Sequence, residues 1–204
     1  MKKTKSFKNP AYVKKERNGL RIITGSARGF RLETLAGDDT RPTAERVKEG
    51  IFSALQFEIE GRQVLDMFAG SGQMGLEALS RGAAGCVFID KSPDAVAVIR
   101  RNLNGMARRD PDIPKRAQVL NTDGLSYLAR SSDKYDIAFL DPPYSSGLLI
   151  PALQAVHPHM NPGGVIVCES DSDTYMPEHA GLYTLSRIYS YGRVRIRLYR
   201  WENV

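Results

Sequence analysis

The chain has 204 residues, 42% hydrophobic and 25% charged, which fits one sizeable globular domain and excludes an intrinsically disordered chain. No apolar run approaches the roughly 20 residues of a membrane-spanning helix. The net charge of +6 sits entirely in residues 1–18, where Lys2, Lys3, Lys5, Lys8, Lys14, Lys15 and Arg17 face only Glu16, so the other 186 residues hold 22 groups of each sign.

That tail is expected to be flexible. It suits a polyanionic partner, because each neutralised phosphate releases counterions, and a merely solvated terminus explains it equally well. No apolar segment follows it, which is unlike an export signal and points to a cytoplasmic protein. GLRIITG and FRLETLA, around turn residues 26–29, predict a small β-hairpin. In RPTAERVKEGIFSALQF, Thr43 can cap a helix whose Val47, Ile51 and Leu55 form one apolar stripe, with Gly61 closing it. From residue 63 the pattern alternates. Strands are expected in QVLDMF, GCVFID, AQVLNTD, YDIAFLD and GGVIVCES. Helices are expected in GLEALSRG, PDAVAVIRRNLNGM, a short piece near LSYLA, and LLIPALQAVHPHM, with Pro93 in the first turn of the second. Near-continuous apolar strands alternating with helices mean a parallel sheet covered on both faces. After residue 170, YTLSRIYS and RVRIRLYRW predict an antiparallel hairpin that closes the sheet.

Cys86 and Cys168 lie inside apolar strands and read as buried thiols. His157, His159 and His179 lack metal-site spacing, so no metal is expected.

The first strand runs into GSGQMG, a G-x-G-x-x-G turn that opens a helix, with Asp90 about twenty residues on. Mechanically this is the signature of a dinucleotide site, and a ligand-free tight turn is the plainer alternative. Asp66, four residues before Gly70, argues against a pyrophosphate, since like charges would meet at close range. A carboxylate there suits a cationic ligand end, such as the amino group of S-adenosylmethionine, whose carboxylate the helix N-terminus can take. Asp90 is placed to accept two ribose hydroxyls or, alternatively, to cap the following helix. Asp123, in NTDG, could take an adenine amine, and turn chemistry explains it as well.

The fourth strand ends in Asp141, Pro142, Pro143 and Tyr144. Two successive prolines stiffen the segment and contribute carbonyls without N–H groups, so the pocket is rich in acceptors and suits a donor such as an exocyclic amine. Hydrogen bonds from the amine to the Asp141 carboxylate and the Pro142 carbonyl would turn its lone pair toward a methyl donor, and positioning would supply much of the rate. Tyr144 offers a face on which an unstacked base can lie. A rigid loop without chemistry is the plainer reading of Pro-Pro alone. Arg193, Arg195 and Arg197 alternate along the last strand. They read as a half-exposed strand face, with an RNA-facing strip as the alternative.

DMFAGSGQMGLEALSRGA followed by FLDPPY resembles the amino-group methyltransferases. Together with RIITGSARGFRLETL and RPTAERVKEGIFSAL, it is similar to the RsmD-type 16S rRNA guanine-N2 methyltransferases of bacteria, from about residue 19 to 201. The resemblance implies a Rossmann-like class I methyltransferase fold, an α/β protein with a mostly parallel seven-stranded sheet, a C-terminal antiparallel hairpin, and a small N-terminal β-hairpin plus helix. The expected division is a tail at 1–18, a hairpin-and-helix extension at 19–60 and a methyltransferase domain at 61–204. It implies S-adenosylmethionine as cofactor, bound by Asp66, Phe68, Gly70, Gly72, Asp90, Lys91, Asp123 and Gly124. Asp141, Pro142, Pro143 and Tyr144 would be catalytic, and Arg41, Thr43 and Tyr144 would meet substrate. Capping by Thr43 and a fixed approach at Pro42 explain the RPT segment without any ligand. The implied partner is small-subunit rRNA, free or in an assembled particle, met by a monomer. The alternatives are methylation of adenine N6 in DNA or of a protein glutamine, an NAD-binding oxidoreductase, and a non-catalytic RNA-binding module.

Overall fold

The computed structural model describes residues 20–35 and 42–202, and only the backbone of 42–44. The basic tail and Arg41 fall outside these residues, as does the side chain of Thr43. In chain order the elements are α1 (Pro42–Ala54), β1 (Gln63–Asp66), α2 (Gln73–Ser80), β2 (Gly85–Asp90), α3 (Pro93–Met106), β3 (Ala117–Asn121), α4 (Gly124–Leu128) and β4 (Tyr135–Leu140). They continue as α5 (Leu149–Val156), β5 (Met160–Asp171), β6 (His179–Ala180), β7 (Tyr183–Tyr191) and β8 (Val194–Trp201).

The strands form one sheet in the order β3-β2-β1-β4-β5-β8-β7-β6. Strands β1 to β5 pair in parallel, and β8, β7 and β6 add in antiparallel fashion. The seven expected strands are present, and the two-residue β6 is added at one edge. Because β1, β2 and β3 step outward in one direction and β4 returns to the other side of β1, the order reverses beside β1. At such a switch point the loops leave opposite faces and open a crevice at the carboxyl ends of the strands.

Side-chain alternation explains why the strands are apolar throughout. Val64, Phe88, Ile137, Phe139 and Val165 bury one face against Leu76 and Leu79 of α2, Ile99 and Leu103 of α3, and Ile51 of α1. Leu65, Ile89, Ala138, Leu140 and Ile166 bury the other against Leu128 of α4 and Leu153 and Val156 of α5. Helix α3 has the expected bounds. Its cap is Ser92, whose Oγ accepts the Ala95 N–H at 3.4 Å, with Pro93 in the first turn, so Asp90 is not the capping residue.

The N-terminal hairpin differs from expectation. Residues 20–32 double back through the bonds Ile22 N–H to Phe30 O (2.8 Å) and Leu32 N–H to Leu20 O (2.8 Å), but the β-pairing is a single bridge, Arg21 with Arg31. The ladder stops because the next two N–H groups, of Ile23 and Thr24, donate instead to the Glu77 carboxylate on α2, at 2.7 and 3.0 Å. Glu77 is fully buried and also receives Arg81 Nε at 2.8 Å, with Lys48 Nζ of α1 at 3.7 Å. Lys48 donates its own hydrogen bond to the Arg21 carbonyl at 2.5 Å. Burial pulls the Lys48 pKa down and the Glu77 charge opposes that. Leu20, Ile22, Ala27 and Leu32 join the core of the sheet, so the extension and the sheet share one interior.

The C-terminal arginines also separate. Arg197 is buried, donating to Ser170 Oγ at the end of β5 and to the Thr174 carbonyl (3.1 Å) in the segment that follows it. Arg193 is exposed and pairs with Asp171 at 3.2 Å, and Arg195 donates to the Gly192 carbonyl at 2.6 Å. The three guanidiniums therefore do not form one exposed strip. Both cysteines are free and buried, and no His/Cys/Asp/Glu group among the described residues could hold a metal.

Candidate active site

A cavity of about 1050 Å³ opens at the carboxyl ends of β1, β2 and β4. Asp66 ends β1 and Asp90 ends β2, while Asp123 stands two residues beyond β3 and caps α4 by accepting the Ser126 N–H at 2.8 Å. All three line this one cavity with Phe68, Gly70, Lys91 and Gly124, and so do Asp141, Pro142, Pro143 and Tyr144. The fold thus gathers eleven of the twelve expected cofactor and catalytic positions.

Gly72 is the exception. It is absent from the lining and takes a left-handed conformation (φ +79°), and a Cβ there would come within 3.0 Å of Ile99. Its freedom serves the tight turn and the packing of α3. Gly75 serves close packing instead, since a Cβ would meet the Phe88 ring at 2.3 Å.

The turn is held by carboxylates. Asp90 accepts the Gly70 N–H at 2.9 Å on one oxygen and the Ser92 N–H at 2.8 Å on the other. An ionised carboxyl has about four acceptor positions, so further donors can still be received. Asp66 accepts the Gly75 N–H at 2.9 Å in the first turn of α2 and is itself buried. Burial raises its pKa to about 7, helped by the charge of Asp90 and opposed by the Gly75 N–H. Gln73, another lining residue, has a buried Oε1 without a hydrogen-bond partner among the described residues. A bare acceptor costs about 1–3 kcal/mol, so this wall fits a ligand that brings donors. Three carboxylates along the same wall would repel a pyrophosphate.

At the opposite lip, Tyr144 is half-exposed and donates its O–H to Glu169 Oε1 at 2.7 Å. Burial and the nearby Glu169 and Asp141 carboxylates raise the Tyr144 pKa, so the phenol stays protonated. Glu169 was not singled out from sequence, nor were Arg46 and Tyr191, which also line the cavity; Arg193, read from sequence only as part of a strand face, lines it too. The Leu140–Cys168 pairing between β4 and β5 puts Glu169 abreast of Asp141 on the neighbouring strand, a proximity that only the register reveals.

A sheet of this order, with acids ending β1 and β2 and an Asp-Pro-Pro-Tyr lip after β4 around one cleft, is a Rossmann-like class I methyltransferase fold. The chain belongs to the family described as Conserved hypothetical protein 95, which it matches over residues 20–200. It is similar to the ribosomal RNA small subunit methyltransferase D of Escherichia coli K12, 34% identical over 185 residues that cover 90% of each chain. YlbH of Bacillus subtilis 168 is 35% identical over 186 residues, 89% of this chain and 98% of that one. Among solved structures, yhhF from Escherichia coli matches with a TM-score of 0.78 at 33% identity, covering 90% of this chain and 98% of that one.

Proposed function

We propose that the protein methylates the exocyclic N2 amine of a guanine in small-subunit ribosomal RNA, with S-adenosylmethionine as methyl donor. One observation carries the reading: the acid-walled cleft and the stiff acceptor lip border the same cavity. The relative called ribosomal RNA small subunit methyltransferase D, similar over 90% of the chain, supports the choice of RNA.

Asp66 and the bare Gln73 acceptor would receive the cofactor's ammonium, the first turn of α2 its carboxylate, Asp90 its ribose hydroxyls, and Asp123 its adenine amine. When bound, the cofactor supplies an electrophilic methyl group. The lip does the rest. Asp141 and the Pro142 carbonyl accept the two N–H bonds of the target amine and so aim its lone pair, while Tyr144 holds the base by stacking. Pro142 and Pro143 keep this geometry without rearrangement, which is where the stabilisation of the reacting arrangement originates.

In this reading the protein acts as a monomer in the cytoplasm, on free RNA or on an assembled particle. The reading is tested by incubating small subunits from cells lacking the enzyme with the protein and S-adenosylmethionine, followed by mass spectrometry of the nucleosides. N2-methylguanosine is expected. N6-methyladenosine, or calorimetry showing NADH binding and no S-adenosylhomocysteine binding, would refute it.

A further inference from the structure

We propose that Glu169 selects guanine by accepting its ring N1–H, an inference that rests on the methyltransferase reading above. Glu169 lies near the carboxyl end of β5, abreast of Asp141, with adjacent strands about 4.8 Å apart. It borders both the main cavity and a smaller recess of about 80 Å³ that it shares with Pro142, Pro143 and Tyr144. Among the described residues its carboxylate has one hydrogen-bond partner, the Tyr144 O–H on Oε1. With about four acceptor positions on a carboxylate, Oε2 can take a donor while Tyr144 stays in place as the stacking surface.

The chemistry of the base supplies that donor. On guanine, N1–H sits directly beside the N2 amine, so an amine held by Asp141 and Pro142 brings N1–H toward the neighbouring strand. Adenine has a lone pair at N1, and a carboxylate facing it would be repelled. Asp141 alone does not make this distinction, because any exocyclic amine satisfies it. Burial raises the Glu169 pKa and the Tyr144 O–H opposes that, and an N–H on the second oxygen would act in the same sense as the tyrosine.

The test uses small-subunit RNA carrying either guanine or 2-aminopurine at the nucleotide the protein modifies. 2-Aminopurine keeps the 2-amine but has an acceptor at N1. The wild-type protein should prefer guanine by on the order of 100-fold in kcat/KM, as expected where a buried acceptor is left unpaired. In Glu169→Gln the amide can donate to N1, so the preference should shrink by at least about tenfold. Tyr144→Phe, which keeps the ring and the carboxylate, should hold the preference within about threefold. Equal use of both bases by the wild type overturns the inference whether or not the variants fold. So does a Glu169→Gln preference equal to that of the wild type. Loss of preference in Tyr144→Phe would mean that Glu169 acts only through the tyrosine, and would also overturn it. If the wild-type protein methylates no guanine at all, the methyltransferase reading fails first, and nucleoside analysis reports that separately.

Discussion

Asp66→Asn separates what this carboxylate does for the fold from what it does for the ligand. The Asp66 pKa is raised from 3.8 to about 7, which corresponds to on the order of 4 kcal/mol between protonation states. A carboxyl whose folded pKa lies above its unfolded value contributes stability that is present below pH 4 and is lost as the pH rises through 7. The ligand-free wild type should therefore lose stability over this window relative to the Asp66→Asn protein, whose amide stays neutral and can still accept the Gly75 N–H. At pH 8 the variant should be the more stable, and at about 2–4 °C per kcal/mol for a domain of this size the gap could reach about ten degrees. Its affinity for S-adenosylhomocysteine should nevertheless fall at least about tenfold, because the cationic amino group loses its counter-charge. Melting curves of both proteins between pH 5 and 8, with calorimetry of ligand binding, measure the two effects. In the wild type at pH 6, binding should release a proton, seen as a heat that varies with buffer ionisation enthalpy. A stability gap that does not change with pH, together with a heat independent of buffer, would refute the placement of Asp66 opposite the ammonium.

Asp141→Ala should abolish methyl transfer to RNA while leaving S-adenosylhomocysteine affinity within about twofold, and near-wild-type turnover would remove the lip from the mechanism. Glu77→Ala should cost about 3–5 kcal/mol in urea unfolding, since it leaves the buried Lys48 and the partly buried Arg81 without their shared carboxylate; a loss below about 1 kcal/mol would contradict the role given to this cluster. Gly75→Ala should lower the melting temperature, because its Cβ would lie 2.3 Å from the Phe88 ring and helix and sheet would have to part; an unchanged melting temperature would contradict that packing. Removing residues 1–18 should flatten the salt dependence of RNA binding by up to about five log units per log unit of salt if all seven basic groups meet single-stranded phosphates, and an unchanged slope would leave the tail as solvated chain.

The features legible in the sequence were those set by local chemistry. The segment PDAVAVIRRNLNGM with Pro93 in its first turn gave α3 its bounds, and the run YDIAFL gave β4, because periodicity and capping act over a few residues. The gathering of Asp66, Asp90, Asp123 and Asp141 was also legible, since the carboxyl ends of parallel strands share one rim. Partners distant in sequence were not. The hairpin shrank to one bridge because Glu77, more than fifty residues away, takes its N–H groups. Alternation placed Arg193, Arg195 and Arg197 on one strand face but could not show that the Thr174 carbonyl would hold a buried Arg197. Gly72 belongs to a motif read as ligand-binding; that Ile99 of α3 packs against it is a contact the motif does not show. Glu169 gave no signal, because a Glu-Ser pair at a strand end is ordinary until the β4–β5 register sets it beside Asp141.

Methyl transfer as proposed requires the cleft and the lip to be two sides of one reaction site. A crystal structure with S-adenosylhomocysteine tests this most directly. The amino group is expected against Asp66, the adenine beside Asp123, and the thioether sulfur turned toward Pro142 and Tyr144. A ligand bound with its sulfur facing away from that lip would contradict it.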